Sequence, residues 1–436
     1  MKKHRMDLSQ RVRYALLAGM AGAFLIPQVA FAAPTGETIV SGGATVTRSG
    51  NDTNINSSNV NNVIKWSDYS IVHGERVVHD GGAKTNNYLN IVTGANTSNI
   101  DGKIEGGKNV YIVNPNGVIF GKNAEVNVGH LHVSTQDTST VNTAADMANN
   151  VSPLSASAAG LSDVVNMGKD ITANTVEVHG KNIRFLNAAN VHTTNPVVLH
   201  TDTANGGYAH IGYKSGNVPA VTAYQVNGAN ATAADNYYQL VADKTEFQNI
   251  KNGLTKNYML ENDIDFSGTA LTPIGDDTTK FTGKLDGNFF QVKNFNVSGV
   301  SRAGLFGSTS GARLENFGVV GAHITGMTGS SDYAGGIAAY TTGGTQIRNV
   351  YVKETTVDGR TAKHGGIVGV TDNTTLDGVY SKATIGDGGG IIGTSATGTN
   401  IYNTYSDASF LSRIPTTQRM FFIYMIDPDD GTYVEN

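Results

Sequence analysis

Histidine is the side chain in this sequence best suited to bind a metal or to transfer a proton near neutral pH. His130 and His132 alternate along one apolar run, so both would lie on the same face of a strand. The chain contains no cysteine, and two imidazoles without a third ligand are typical of solvated polar positions rather than of a metal site. The sequence therefore predicts no metal site and no cofactor.

Motifs that carry catalysis are not found in the sequence. It has no His-Glu-x-x-His, no Gly-x-Ser-x-Gly and no cysteine nucleophile. Asp263, Asp265 and Ser267 resemble the start of a calcium-binding loop, but the twelfth position is Ile274, which cannot supply the closing carboxylate. A capped turn is the better interpretation of these residues. We predict no catalytic residue and no enzyme activity.

The elements that must position any site are short strands. They are clearest in residues 109–135, NVYIVNPNGVIFGKNAEVNVGHLHVST, where the apolar residues Val110, Val118 and Val126 fall eight residues apart. Each apolar pair indicates a strand with one buried face. A hairpin meander would give the same alternation, but most joins lack the usual two-residue loops. Three short strands with tight corners also describe one coil of a parallel β-helix, in which each coil stacks on the next.

A four-residue corner, Asn114-Pro115-Asn116-Gly117, interrupts this regular run. Asn114 precedes a proline and is therefore pushed toward extended backbone. Pro115 fixes φ at the first central position of a turn. Asn116 tolerates a left-handed backbone, and Gly117 adopts one without strain. These residue types predict a turn, and their spacing alone does not separate a turn from a recognition element.

The amino terminus has the pattern of a signal peptide. Basic residues occur between positions 2 and 13, residues 14–26 are apolar, and Ala30-Phe31-Ala32 follows the small-x-small pattern of cleavage sites. A membrane anchor is the weaker alternative, because Pro27 and Gln28 interrupt the run before about twenty apolar residues accumulate. We predict cleavage between Ala32 and Ala33.

The composition favours an all-β protein. The chain has 436 residues, and its 53 glycines are typical of a protein with many short strands and turns. Its formal net charge is −5 and only 15% of its residues are charged, which argues against nucleic acid as a partner. Since cysteine is absent, stability must come from the apolar core and the hydrogen-bond ladder.

A chain of this length normally suggests two or three globular domains, but its internal repeats predict one elongated, repetitive structure instead. After residue 300, four glycine-flanked apolar pairs recur, and each is followed ten or eleven residues later by an apolar anchor. One such unit cannot bury its own apolar face, so the units must stack. The four segments are residues 304–307, 336–339, 366–369 and 390–393, and their anchors are Leu314, Ile347, Leu376 and Ile401.

Five segments are predicted along the chain. They are a signal peptide (1–32), a first β-helix domain (33–200), a weakly periodic boundary segment (201–236), a repeat region (237–409) and an atypical tail (410–436). Within the first domain, residues 136–162 are polar and small and predict an excursion from the coils. In the tail, the apolar residues 420–426 would either cap the last coil or form an abnormal end to a longer chain.

Residues 33–200 resemble the amino-terminal secretion domain of two-partner-secretion exoproteins, the filamentous haemagglutinin family. The resemblance rests on IKWSDYSIVHGERVVHD and on YLNIVTGANTSNIDGKIEGGKNVYIVNPNGVIFGKNAEVNVGHLHVST. It implies a right-handed parallel β-helix, an elongated β-solenoid recognised in the periplasm by a dedicated outer-membrane transporter. Asn114, Pro115, Asn116 and Gly117 match the secretion motif of the family. A second family motif, Asn-Pro-Asn-Leu, is absent from this sequence.

Residues 237–409 are similar to the glycine-rich GLUG repeats of bacterial surface adhesins. Together the two resemblances imply an adhesin-like exoprotein on the surface of a Gram-negative-type bacterium or in its medium, with a glycan or protein receptor. One alternative is a β-helix enzyme that acts on polysaccharide, which would need carboxylates converging on one face. Another is the delivery end of a contact-dependent toxin.

Overall fold

A computed structural model describes residues 34–141, 152–155, 159–220, 222–327, 329–359, 363–386, 388–410, 424–426 and 433–435. The chain divides between Tyr238 and Gln239 into two compact units, the amino-terminal unit and the carboxy-terminal unit. None of the helices within these described ranges is long and apolar enough to span a membrane.

The amino-terminal unit consists of short strands joined by tight turns. In chain order they are β1 (Thr38–Ser41), β2 (Thr45–Ser49), β3 (Asp52–Asn56), β4 (Asn61–Trp66), β5 (Arg76–His79), β6 (Asn87–Val92), β7 (Ser98–Ile100), β8 (Lys103–Glu105), β9 (Asn109–Val113), β10 (Val118–Phe120), β11 (Glu125–Asn127), β12 (His130–Ser134), β13 (Val164–Asn166), β14 (Asp170–Thr172), β15 (Thr175–Gly180), β16 (Asn182–Phe185), β17 (Val191–His192), β18 (Val197–Thr201), β19 (Tyr208–Tyr213), β20 (Tyr224–Val226) and β21 (Ala229–Asn230).

These strands form three sheets. The first runs β1-β4-β6-β9-β12-β15-β18-β20-β21, the second β2-β3-β5-β8-β11-β14-β17, and the third β7-β10-β13-β16-β19. Successive coils pair in parallel, as β9 with β12 and β10 with β13 show, whereas β1–β4, β2–β3 and β20–β21 are antiparallel. In a meander, consecutive strands would pair antiparallel. Here, apart from those three pairs, each strand pairs in parallel with the equivalent strand of the next coil, which confirms the predicted fold class, a parallel β-helix.

Residues 109–127 form one coil, with one strand in each sheet. Val110, Val118 and Val126 come from β9, β10 and β11 and are buried together in the core of the unit. The eight-residue spacing therefore marks equivalent inward positions on the three strands of a coil. Burial of these side chains, at about 25 cal/mol per Å² of apolar surface, is the main force that holds one coil on the next.

The carboxy-terminal unit is also built from parallel strands. Its strands are β22 (Tyr237–Val241, which spans the division), β23 (Asn257–Leu260), β24 (Ile264–Asp265), β25 (Lys284–Asp286), β26 (Gln291–Lys293), β27 (Asn296–Ser298), β28 (Arg302–Ala303), β29 (Phe306–Ser310), β30 (Arg313–Val320), β31 (His323–Met327), β32 (Tyr333–Gly335), β33 (Ala338–Thr342), β34 (Thr345–Gly359), β35 (His364–Gly365), β36 (Val368–Thr371), β37 (Thr374–Ile385), β38 (Gly388–Gly389), β39 (Ile392–Ser395), β40 (Asn400–Tyr402), β41 (Tyr405–Ser406), β42 (Ser409–Phe410), β43 (Tyr424–Ile426) and β44 (Tyr433–Glu435).

A short helix, α1 (Lys244–Asn249), begins at the Asp243 cap, whose carboxylate accepts hydrogen bonds from the backbone of Thr245 and Glu246. A 3₁₀ turn (Ile250–Asn252) extends it and ends at Gly253. In the tail, β43 and β44 pair antiparallel.

The four glycine-flanked copies stack in register in this unit. Strands β29, β33, β36 and β39 pair in parallel so that the third residues of the copies follow one another: Phe306, Ala338, Val368 and Ile392. The anchors follow the same order on β30, β34, β37 and β40: Leu314, Ile347, Leu376 and Ile401. The predicted repeat therefore corresponds to the coil, and stacking gives each copy the buried face that it lacks alone.

His79, on β5, makes the stability of the amino-terminal unit depend on pH. Its ring is fully buried, lies against Tyr88 with centroids 4.6 Å apart, and donates from Nδ1 to the Glu105 carbonyl at 3.3 Å. Burial lowers the pKa of His79 from 6.5 to about 4. The unfolded chain therefore binds a proton at His79 near pH 6.5, whereas the folded chain binds it only near pH 4. The contribution of neutral His79 to the free energy of unfolding is complete above pH 6.5 and is lost as pH falls toward 4.

We expect the free energy of unfolding to fall between pH 6.5 and pH 5, by at most about 2 kcal/mol from this one group. Urea denaturation of wild type and His79→Gln at both pH values measures the effect. The variant should show a shallower pH dependence, whatever its absolute stability. An identical pH dependence in the two proteins would assign the change to other groups.

Candidate functional site

The Asn114–Gly117 corner joins β9 to β10 and turns the chain from the first sheet into the third. The Gly117 amide donates to the Asn114 carbonyl at 3.0 Å, which closes a four-residue turn. Gly117 has φ of 113°, and a Cβ there would lie 3.2 Å from the Asp163 carbonyl. Asn116 is not among the residues with positive φ, so the left-handed backbone is confined to the glycine.

Asn114 fixes the corner from inside. Its side chain is fully buried and donates from Nδ2 to the Asn96 carbonyl and to Ser98 Oγ, both at 2.9 Å. Its Oδ1 accepts from the Asn116 amide, also at 2.9 Å. Asparagine has both a donor and an acceptor in one short side chain. It can therefore donate hydrogen bonds to the preceding coil and accept one from the backbone of the turn at the same time.

Asn116 is the exposed residue of the corner, and Pro115 beside it is half-buried. Asn116 donates from Nδ2 to the Gly94 carbonyl at 2.9 Å, and its own carbonyl accepts from Thr97 Oγ1 at 2.8 Å. On the opposite side, the Pro115 carbonyl accepts from Ser162 Oγ at 2.6 Å. The Pro115 and Asn116 carbonyls are thus held by neighbouring coils, and Asn116 is the exposed residue of the turn.

The arrangement suits recognition better than catalysis. The corner contains no titratable side chain, so it offers shape and hydrogen bonding from a rigid support rather than proton transfer or metal binding. The structure brings the four predicted residues together in one turn. The residues that hold the turn were not predicted, since Gly94, Asn96, Thr97, Ser98 and Ser162 belong to other coils. The one available signal is the coil length, which places Asn96 and Ser98 roughly one coil, or about twenty residues, before Asn114.

The other sequence candidates have structural partners. The Asp265 carboxylate accepts from the Ser267 amide at 2.8 Å and from Asn294 Nδ2 at 3.0 Å, and Asp263 accepts from Lys293 Nζ at 2.9 Å. These contacts agree with the capped turn rather than with a calcium loop. The predicted cleavage between Ala32 and Ala33 lies outside the described residues.

Two relatives match parts of the chain. A heme/hemopexin-binding protein of Haemophilus influenzae is 36% identical over 104 residues, which are 24% of this chain and 12% of that protein. Halomucin of Haloquadratum walsbyi is 31% identical over 190 residues, which are 40% of this chain and 2% of that protein. The chain therefore aligns with only a small part of each relative.

Among solved structures, the secretion domain of HMW1 from Haemophilus influenzae aligns with 87% of this chain and with all of that domain, at 15% identity and a TM-score of 0.29.

The family comparison is the decisive one. The model described as the TPS secretion domain matches residues 30–272, more than half of the chain, and the match includes the corner. Proteins with this domain are exported through the outer membrane to the cell surface or medium of Gram-negative bacteria, which confirms the predicted localisation. The chain belongs to the family of two-partner-secretion exoproteins that carry a TPS secretion domain.

Proposed function

We propose that the Asn114–Gly117 corner is the element by which an outer-membrane transporter recognises this exoprotein in the periplasm. The observation that carries the proposal is the difference in burial between the two asparagines of the corner. Asn114 is buried and holds the turn, whereas Asn116 is exposed on a support fixed from both sides. Asn116 also donates to the Gly94 carbonyl, but this contact lies at the exposed surface, where the side chain stays within reach of a partner.

The predicted segments belong to the same proposal. Residues 1–32 act as a signal peptide cleaved between Ala32 and Ala33, and residues 33–200 act as the secretion domain. The family match continues beyond residue 200, to residue 272, so the boundary segment 201–236 carries part of the same domain pattern. Residues 237–409 are GLUG-type repeats followed by the tail from 410, and the stacking of the four copies supports this reading.

The repeat region is proposed as the adhesin-like part, with a glycan or protein receptor. Parallel strands present a regular outer surface there, on which the half-buried Tyr380 and Tyr405 stand in register with the buried Tyr351. The rings of Tyr380 and Tyr405 stack with centroids 5.5 Å apart, and Lys353 lies over the ring of Tyr351 at 5.0 Å. Aromatic side chains of this kind are enriched in binding surfaces.

A polysaccharide-cleaving enzyme finds no support in the carboxylates that come together on the second sheet. Asp52 and Glu105 both pair with Arg76, at 2.6 and 3.4 Å. Glu125 accepts from Lys103 and Lys169, which lower its pKa to about 2. A glycosidase needs one carboxyl group whose pKa is raised, so that it can donate a proton near neutral pH. The ion pairs on this sheet have the opposite effect, and we propose a non-enzymatic function.

The test of the proposed function is whether export depends on one outer-membrane transporter. Candidate transporter genes of the two-partner type would be deleted one at a time in the native bacterium, and the protein would be measured in the periplasm, on the surface and in the medium. One deletion should leave the chain in the periplasm, and re-expression of that gene should restore export. Unchanged export in every deletion strain, singly and combined, would contradict the proposal.

A further inference from the structure

Four polar side chains meet on the outer face of the first sheet of the amino-terminal unit, away from the corner. They are His132 on β12, Glu177 and His179 on β15, and His200 on β18. The register places His132 opposite Glu177 and His179 opposite His200. Because side chains alternate along a strand, and Val133, Val178 and Leu199 fill the core on the other face, all four must point outward together.

The carboxylate of Glu177 lies at the centre of this group. Its Oε1 is 3.1 Å from His179 Nε2 and 3.5 Å from His200 Nε2, and its Oε2 is 2.9 Å from His132 Nδ1. Each of these three contacts joins the one carboxylate to an imidazole nitrogen, so the possible ligand atoms of the group converge on Glu177.

The geometry points to a binding site for a divalent transition-metal ion, formed by Glu177, His179 and His200. One ligand atom from each of these residues lies within 4.8 Å of the others. Metal–ligand bonds of about 2.1 Å in tetrahedral arrangement put ligand atoms about 3.4 Å apart, close to the two distances from Glu177 Oε1. Two imidazole nitrogens and one carboxylate oxygen, without sulfur, are a ligand set that suits Zn²⁺ and leaves one position open.

The surroundings also fit a metal site. His132 contacts the second oxygen of Glu177 and stacks on Tyr111 with ring centroids 4.3 Å apart, so it orients the carboxylate as a second layer of contacts around a metal does. His179 is only 1% exposed, so its ligand nitrogen is shielded from bulk water. The side chains of Glu177 and His200 are each 25% exposed, which leaves a path from solvent.

A metal here would join two coils, because Glu177 and His179 lie on β15 and His200 lies on β18. Such a bond forms only when the two coils are stacked, so binding favours the folded chain. Since export delivers the protein to the cell surface or medium, a metal ion bound there would add stability to the coil stack after export.

The test uses the purified exported protein after dialysis against a chelator. Zn²⁺ binding would be measured by calorimetry and by metal content, and melting temperature would be recorded with and without Zn²⁺. We expect one tightly bound Zn²⁺ per chain, a rise in melting temperature on binding, and at least an approximately tenfold loss of affinity in Glu177→Gln and in His200→Ala. His192→Ala is the matched control, because His192 is an exposed histidine on β17 and should bind Zn²⁺ as wild type does.

Co²⁺ gives a second readout, because its visible absorption distinguishes four-coordinate from six-coordinate sites. A four-coordinate spectrum that is lost in His200→Ala would support the site. The inference is overturned if wild type binds no stoichiometric Zn²⁺, or if Glu177→Gln and His200→Ala both bind it as His192→Ala does. His200 is partly exposed, so its replacement keeps the test decisive even if Glu177→Gln fails to fold.

Discussion

Replacing Asn116 by alanine is expected to reduce export of the protein by about tenfold or more, with little change in the stability of the folded chain. Asn116 is exposed, and the hydrogen bond that it donates to the Gly94 carbonyl contributes about 1 kcal/mol in such a position. Truncating a side chain at the centre of an interface costs about 2 kcal/mol or more, which is roughly a thirtyfold loss of affinity. If the transporter reads this amide, the effect on export exceeds the effect on folding.

The measurement compares the exported fraction with the melting temperature of purified protein. Asn123→Ala is the matched control, because Asn123 is also an exposed turn asparagine and donates to the Asp101 carboxylate at 2.9 Å. It should leave export near the wild-type level. Equal export of Asn116→Ala and Asn123→Ala would leave the corner with a structural role only.

Asn114→Ala should behave differently. This change leaves the buried Ser98 Oγ without its donor, at a cost of about 1–3 kcal/mol, and also removes the hydrogen bond to the carbonyl of the exposed Asn96. We expect a clear fall in melting temperature in addition to any loss of export. The two asparagines of the corner therefore separate stability from recognition, which spacing in the sequence could not do.

The sequence predicts the strands and the core of this fold well. The interval between Val110, Val118 and Val126 identifies the inward position of each strand in a coil, because a strand has a period of two and a coil repeats three strands. The glycine-flanked pairs identify the coils of the carboxy-terminal unit for the same reason. Both patterns show which face of each strand is buried, because the buried face is the one that carries the apolar residues.

Contacts between coils are much harder to predict. Strand β12 follows β9 after 21 residues, as Asn109 and His130 show, but β15 follows β12 only after 45, as His130 and Thr175 show. The difference is the excursion of residues 136–162. A reader of the sequence who does not know where this excursion ends cannot place Glu177 opposite His132. The sequence therefore predicts solvated positions for the two histidines of β12, whereas in the structure His132 stacks on Tyr111 and contacts Glu177.

The same coil register allows a direct test of whether the chain crosses the outer membrane unfolded. Ile119 on β10 lies opposite Val165 on β13, and both side chains are half-buried. Neighbouring strands are about 4.8 Å apart, within the range of Cα separations that a disulfide spans. Because the natural chain has no cysteine, Ile119→Cys and Val165→Cys can pair only with each other within one molecule.

We expect the double variant to accumulate in the periplasm under oxidising conditions and to be exported when a reductant is added. The disulfide closes a loop that contains the whole excursion, and a narrow pore that passes an extended chain would not pass this loop. Parallel coils suit such passage, since each coil can pair with the previous one as it emerges, and apolar burial outside then opposes back-sliding. The two single variants control for the substitutions themselves and should be exported with or without reductant. Export of the intact cross-linked chain, shown by its faster migration in a non-reducing gel, would mean that the pore admits folded coils.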